Sequence, residues 1–261
     1  MSIINAVLTY RIRKVQADAR NKAEKEKTIA LYNTVLNSLS HELRTPLATI
    51  IACADTLNYE PSNLTKEQHS TLLNQIQIAS ARLNEQVENL LNMSRLDSGI
   101  IQVKPNWCDI NEVVMHTITY FIHNNSKVIE YVEDASMPIV LVDDGLLLQI
   151  LSNLVGNAIV HTYNSATITI TVHIEAEKKL IIQIKDTGIG LPSSELPKLF
   201  DKFYRVPNSA KAGTGLGLSI VQGYVTALGG TILVKHNVPQ GLIFVVTIPI
   251  AVSYINTLKN E

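Results

Sequence analysis

The spacing of apolar residues predicts that the first hundred residues are helical. Leucine and isoleucine recur at intervals of three or four residues at Leu36, Leu39, Leu43, Leu47 and Ile50. This spacing predicts a helix with one apolar stripe. A second stripe predicts a second helix that stops near Gly99, and its members are Leu72, Ile76, Ala79, Leu83, Val87, Leu90 and Leu91.

A turn separates the two predicted helices. Residues 59–63 contain Pro61 and other turn-forming residues. Thr65 is predicted to cap the second helix, and Gln68 completes a capping box. Two amphipathic helices joined by a turn form a hairpin, and two hairpins can bury their stripes together as a four-helix bundle. The hairpin therefore predicts a homodimer.

Beyond Gly99 the pattern changes, because glycines become frequent and short β-branched runs appear. Strands are predicted at 139–142, 167–174, 180–184, 231–235 and 243–248. Helices are predicted at 111–120, 145–161 and 217–228. The expected fold class is α+β, with an antiparallel or mixed sheet that carries helices on one face. The predicted domains are a helix over 1–29, the hairpin over 30–99, a linker over 100–106, the α+β domain over 107–252 and a tail over 253–261.

Composition narrows the class of protein. The net charge is −1 and 46% of residues are hydrophobic, which indicates a sizeable core and no nucleic-acid partner. Cys53 and Cys108 are far apart and are predicted to be reduced thiols. No apolar run reaches the roughly 18 residues that a membrane span needs, so the chain is expected to be soluble and cytoplasmic. The apolar patch at 3–8, followed by basic residues, leaves open a missing membrane helix and thus the cytoplasmic part of an inner-membrane sensor.

The first candidate for chemistry is His41. It is two positions from both Leu39 and Leu43, and each helical residue advances by about 100°, so it is predicted to face solvent. Thr45 shares that face. An exposed imidazole is a usable nucleophile near neutral pH, and Glu42 can accept a hydrogen bond from its ring and take up a proton. A lone histidine at such a position would far more often be an ordinary surface residue.

Two further segments carry polar groups that suit a nucleotide. Asn153 and Asn157 are four residues apart, so their amides share one helix face, and amide oxygens suit Mg²⁺. Asp186, Gly188 and Gly190 follow a predicted strand, where a carboxylate can accept a hydrogen bond from an adenine amine and glycines allow close approach. Each segment alone is also compatible with a helix surface or a common turn.

The last two segments suit phosphates. Lys202 and Arg205, within Phe200–Arg205, can meet phosphate oxygens. A glycine-rich run then leads into a predicted helix, whose N-terminal N–H groups favour phosphate, and its members are Gly213, Thr214, Gly215, Leu216, Gly217 and Leu218. Residues 191–212, which include Phe200–Arg205, are predicted to form a lid over the nucleotide.

Taken in order, these segments resemble the H, N, G1, F and G2 boxes of sensor histidine kinases of two-component systems. The run His41–Leu47 resembles the H-box over seven residues. The resemblance implies a dimerisation and phosphotransfer domain over 30–99, then a Bergerat-type (GHKL) α/β sandwich that binds ATP and Mg²⁺, with Asn157 as the metal ligand. It implies autophosphorylation of His41, transfer to an aspartate of a response regulator, and a role for Thr45 in regulator dephosphorylation. Residues 1–29, as a signalling helix, resemble those of KdpD-type kinases.

One departure from the family pattern concerns the N-box. Val160 stands where these kinases carry a lysine or arginine, so either phosphate contact is weaker or His161 substitutes for the cation. Gyrase-type ATPases of the same fold carry a glutamate at the position of Asn153, where it activates water. The amide of Asn153 is a poor general base, so this chain is not expected to be an ATPase of that type. A phosphatase-dominant protein and a non-catalytic signalling module of the same fold remain alternatives.

Overall fold

The computed structural model describes residues 13, 40–59, 64–122, 127–163, 166–206 and 214–254. The chain divides into two compact units, Met1–Gln86 and Val87–Glu261. Apart from Arg13, which is helical, the predicted helix over 1–29 lies outside the described residues, as do Leu36 and Leu39.

The first unit contains a helical hairpin. Helix α1 covers residues 40–59, and helix α2 runs Lys66–Asp97, so that its first 21 residues belong to this unit. The predicted capping box is confirmed, since Gln68 N donates to Thr65 Oγ1 at 3.2 Å and Thr65 N donates to Gln68 Oε1 at 2.9 Å. Cys53 and Ala79 are buried in the hairpin, and Cys53 Sγ donates to Gln75 Oε1 at 3.3 Å.

The hairpin of a single chain leaves apolar side chains on its surface. Leu47 and Ile51 on α1 are 47% and 51% exposed, and Leu73 and Ile78 on α2 are 49% and 46% exposed. Exposed apolar side chains on both helices are the surface that a second hairpin would cover.

The second unit is an α+β domain. After the end of α2, its elements are β1 (Asn106–Cys108), α3 (Ile110–Ile122), β2 (Val128–Tyr131), β3 (Ile139–Val142), α4 (Asp144–His161), β4 (Thr167–Glu175), β5 (Lys179–Asp186), a 3₁₀ turn (Leu196–Lys198), α5 (Gly217–Ala227), β6 (Thr231–His236), β7 (Leu242–Pro249) and β8 (Ala251–Ser253). The main sheet has the order β2-β4-β5-β7-β6, and a small sheet has the order β1-β3-β8.

The main sheet is mixed, which is one of the two predicted alternatives. β2 pairs with β4 in parallel, whereas the other pairs are antiparallel. Alternate residues of β5 and β7 are buried, as in Ile182, Ile184 and Val246, because successive strand side chains point to opposite faces. Buried residues of α4 such as Leu151 and Leu154 join the same core, which produces the sandwich of helices on one sheet.

All five predicted strands and the three predicted helices of this unit are confirmed within two residues. The strands β1, β2 and β8, of three or four residues each, were missed because they include polar or small residues, whereas the equally short β3 is a run of four branched apolar residues. The last turns of α2 pack on this unit, with Met93 buried in its core. The domain bounds, including the linker over 100–106, stay predictions. None of the described helices is long and apolar enough to cross a membrane.

Candidate functional site

One side of the candidate site is the polar face of α4. Asn153 Nδ2 donates to Gln149 O at 2.9 Å, one turn back. A Cβ atom built on Gly217 would lie 3.0 Å from Asn153 Oδ1 and 3.9 Å from Asn157 Nδ2. The fold thus brings the two amides of α4 against Gly217, the first residue of α5, although Asn157 and Gly217 are 60 positions apart in the sequence.

Asp186 ends β5 and is only 7% exposed. Gly188 N donates to its Oδ1 at 2.8 Å. Burial raises the pKa of the Asp186 carboxyl, while the backbone N–H groups of Gly188 and Leu242 and the nearby His161 and Lys127 act to lower it. The side chain is therefore a fixed acceptor in a site of low polarity, which suits an adenine amine.

The turn between β6 and β7 supports Asp186 from behind. Asn237 Nδ2 donates to Asp186 O at 2.8 Å. At Gly241, where φ is +111°, a Cβ atom would lie 1.9 Å from the same oxygen, so only glycine fits. Gly190 also faces this turn, because its Cβ would lie 3.4 Å from Gly241 N. Sequence analysis missed Asn237 and Gly241, which belong to no recognisable motif.

The F-box and the glycine-rich run are joined by a backbone hydrogen bond. Phe203 N donates to Gly215 O at 3.0 Å. Gly215 has φ of +68°, and a Cβ there would lie 2.7 Å from Phe203 C. Leu216 is fully buried, and its N–H donates to Thr214 Oγ1 at 3.3 Å. The start of α5 is thereby held in one place. Leu218 is the second residue of that helix, while Gly213 lies outside the described residues.

The predicted cations lie on the surface. Lys202 Nζ forms an ion pair with Asp97 Oδ1 at 2.5 Å, and both side chains are about half exposed, at 46% and 51%. Arg205 is exposed, and so is His161, the last residue of α4. Lys202 thus has an acidic partner at the end of α2 that would compete with a phosphate.

In the first unit, His41 is exposed on α1, as predicted. Thr45 is also exposed, and its Oγ1 donates to His41 O at 3.1 Å. Glu42 is half-buried beside them. The hydrogen bond between the His41 ring and Glu42 stays a prediction.

The donor chemistry around α4 and α5 fits Mg²⁺ bound together with phosphates. No group of three His, Cys, Asp or Glu residues within the described part of the chain could hold a metal by itself. The amides of Asn153 and Asn157 instead face the start of α5, where phosphate is favoured. Mg²⁺ commonly binds one or two protein oxygens plus substrate phosphates and water.

Two family models match this chain. Residues 32–99 match the His Kinase A (phospho-acceptor) domain, and residues 142–252 match the histidine kinase-, DNA gyrase B- and HSP90-like ATPase. Together they cover more than half of the chain. The chain belongs to the sensor histidine kinase family. The phospho-acceptor match sets it apart from the gyrase-type and HSP90-type members of the ATPase fold.

Individual relatives agree with this assignment. The sensor protein KdpD of Escherichia coli is 32% identical over 95% of this chain and 27% of its own length. ShkA, crystallised full-length with AMPPNP, has a TM-score of 0.63 at 28% identity over 84% of this chain and 46% of its own. The histidine kinase AdeS of Acinetobacter baumannii has a TM-score of 0.60 at 25% identity over 80% of this chain and 97% of its own.

This histidine kinase chain spans about a quarter of the length of the KdpD proteins that it matches. WalK of Bacillus subtilis matches at 30% identity, nearly the same level as KdpD. Sensors of different systems are thus similarly related to the chain, and their similarity supports the sensor histidine kinase family as a whole. The resemblance to KdpD-type kinases in particular rests on the N-terminal segment.

Proposed function

We propose that this chain is the catalytic core of a sensor histidine kinase that uses Mg-ATP to phosphorylate its own His41 and then donates the phosphoryl group to an aspartate of a response regulator. The observation that carries the proposal is an exposed histidine on a phospho-acceptor hairpin, in one chain with a buried carboxylate and a glycine-held helix start. These are the two halves that a phosphoryl transfer needs, an acceptor and a nucleotide site.

In this proposal the nucleotide lies between α4 and α5. Asp186 accepts a hydrogen bond from the adenine amine, next to the turn at Gly188 and Gly190. The N–H groups at the start of α5 bind phosphate oxygens, helped by the positive end of the helix dipole. Lys202 and Arg205, with His161 as a further cation, neutralise charge on the triphosphate. Asn157, with Asn153 beside it, would hold Mg²⁺, and the bound ion would supply positive charge to the phosphate oxygens.

The transfer itself needs little covalent help from the protein. A lone pair on one imidazole nitrogen of His41 forms a bond to the γ-phosphorus. The bond from that phosphorus to the β–γ bridging oxygen breaks, and ADP leaves with the electron pair. Glu42 accepts the proton of the other ring nitrogen and so stabilises the charged ring. Thr45, on the same exposed face, would assist hydrolysis of the phosphorylated regulator, in which water attacks the phosphorus and the aspartate carboxylate leaves.

The proposed assembly is a homodimer that presents His41 to a receiver domain. The exposed apolar side chains on both helices, with Leu47 and Leu73 about half exposed at 47% and 49%, support a four-helix bundle of two hairpins. His41 is exposed on the same helix, so it can meet both a catalytic domain and a regulator. Attachment to a membrane would require a segment other than the described helices.

Incorporation of label from ATP radiolabelled at the γ-phosphate tests the proposal. The chain with Mg²⁺ should acquire a label that is stable in base and labile in acid, as a phosphoramidate is. His41→Gln should abolish the label, whereas His69→Gln, at another exposed histidine of the hairpin, should leave it unchanged. Label that persists in His41→Gln would refute the acceptor. A wild-type chain that binds Mg-ATP and acquires no label would favour a phosphatase-dominant or non-catalytic module.

A further inference from the structure

Lys127 makes an unusual set of contacts for a lysine outside every sequence motif. It lies directly before β2, and its ammonium group donates to oxygens at the end of α4. Nζ lies 2.8 Å from Thr162 O and 2.8 Å from Thr162 Oγ1, and it also donates to Ile159 O. A single ammonium therefore binds three oxygens that are at least 32 residues away in sequence.

The end of α4 explains why a cation is favourable there. The helix ends at His161, and the last carbonyl groups of a helix have no intrahelical donor. Thr162 Oγ1 donates to Ala158 O at 2.7 Å, and Lys127 donates to Ile159 O. The helix dipole also places partial negative charge at this end. Lys127 thus acts as a cap provided by a distant part of the chain.

This cap lies against the turn that holds Asp186. Thr162 is only 6% exposed, and its Cγ2 would lie 2.8 Å from a Cβ atom on Gly188. Gly188 N in turn donates to Asp186 Oδ1 at 2.8 Å. Contacts therefore run from Lys127 through Thr162 and Gly188 to the Asp186 carboxylate. The charge of Lys127 also acts on that carboxylate, since it opposes the rise in pKa that burial causes.

We propose that Lys127 is a positioning residue for nucleotide binding: by holding Thr162 at the end of α4, it keeps the Gly188 turn and Asp186 in the geometry that accepts adenine. The proposal rests on the proposed function, because it assumes that Asp186 binds the base. It adds a residue that contacts no nucleotide atom and acts through packing and charge. The sequence carries no sign of this role, because Lys127 and Thr162 become neighbours only through the sheet.

Loss of a lysine that positions the base and loss of a lysine that contacts phosphate should have different effects on the affinities for ATP and ADP. Lys127 acts at the base end of the nucleotide, so its loss should reduce the affinities for ATP and for ADP by the same factor. Loss of a lysine that contacts the terminal phosphate should instead weaken the binding of ATP more than the binding of ADP. The ratio of the two affinities therefore separates positioning of the base from direct contact with phosphate.

Calorimetric titration of the full chain with Mg-ATP and with Mg-ADP, well below the unfolding temperature, tests this role. Lys127→Met should weaken both nucleotides roughly ten-fold, which corresponds to about 1.4 kcal/mol. The matched control is Lys179→Met, because Lys179 has an exposed ion pair with Glu175 on the same domain, and it should bind both nucleotides as the wild type does. Unchanged affinity in Lys127→Met, or loss for ATP alone, would overturn the proposal.

A second variant covers the case in which Lys127→Met does not fold. Thr162→Val removes the hydroxyl and leaves Lys127 its two backbone acceptors, so a loss of several-fold for both nucleotides is expected. If both single variants fold, the loss in the double variant should be smaller than the product of the two losses, because they share one contact. Full affinity in Thr162→Val would overturn the route through Thr162. A wild-type chain that binds neither nucleotide would refute the proposed function instead.

Discussion

Replacement of Gly215 by alanine should disable the nucleotide site while leaving the domain folded. Gly215 has φ of +68°, and its new Cβ would lie 2.7 Å from Phe203 C, 2.8 Å from Tyr204 O and 2.9 Å from Phe203 Cα. All three are backbone atoms, so no side chain can turn away to make room. The loop that precedes α5 must therefore move from the F-box, and the hydrogen bond from Phe203 N to Gly215 O is stretched or lost.

The free-energy cost of Gly215→Ala has two parts, backbone strain and overpacking, and a second glycine of the chain allows them to be measured separately. An alanine in the left-handed region costs roughly 1–2 kcal/mol, and overpacking against fixed atoms adds about 1–3 kcal/mol. Gly99→Ala is the matched control, because its φ is +65° and nothing lies within 4 Å of the added Cβ. It should incur the first cost alone. Because bound ATP requires the wild-type conformation of this loop, the overpacking cost reduces the affinity for ATP. A cost of about 1–3 kcal/mol corresponds to roughly 5- to 150-fold weaker affinity.

Two measurements on each variant decide the matter. Thermal unfolding should show lower stability in both, and calorimetric titration with Mg-ATP should show weaker affinity in Gly215→Ala alone. Wild-type affinity in Gly215→Ala would refute the claim that contact between the F-box and the glycine-rich run shapes the phosphate site. A similar loss of affinity in Gly99→Ala would mean that general destabilisation, and no local geometry, explains the effect.

Three further predictions follow from the described contacts. Asp186→Asn should weaken Mg-ATP roughly ten-fold or more, because it removes a charged acceptor. Burial raises the pKa of Asp186 in the folded state above its ordinary value of 3.8. The resulting contribution to the stability of the wild type is complete at a pH below 3.8 and is lost as the pH rises through the pKa of the folded state. The free energy of unfolding of the variant relative to that of the wild type, measured by chemical denaturation, should therefore be higher at pH 7 than at pH 4. The opposite trend would refute the burial argument. Asp97→Asn should strengthen Mg-ATP binding a few-fold in calorimetry, because Lys202 loses its competing partner, while stability changes by less than about 1 kcal/mol; unchanged affinity would contradict a phosphate role for Lys202. Thr65→Ala should cost about 1 kcal/mol of hairpin stability, and an unshifted unfolding curve would contradict the importance of the capping box.

Much of the fold could be predicted from local pattern. The apolar spacing of the hairpin, the pair Thr65 and Gln68, and the β-branched runs from 139 to 248 each act within a few residues, so the sequence carries their signal directly. The segments around His41, Asn153 and Asp186 were recognisable for a similar reason, because the chemistry of a nucleotide and a phospho-acceptor constrains short runs.

The tertiary structure decided what depends on contacts between distant residues. Strands β1, β2 and β8 are too short and too mixed in composition to be recognised alone, and they form because neighbouring strands pair with them. Gly241 against Asp186 O, Lys202 beside Asp97, and Lys127 at the end of α4 belong to no motif. The sequence by itself identified the candidate groups for binding and reaction. The sheet determined which remote residues hold those groups in place, because close packing and hydrogen-bond geometry are set only when the strands come together.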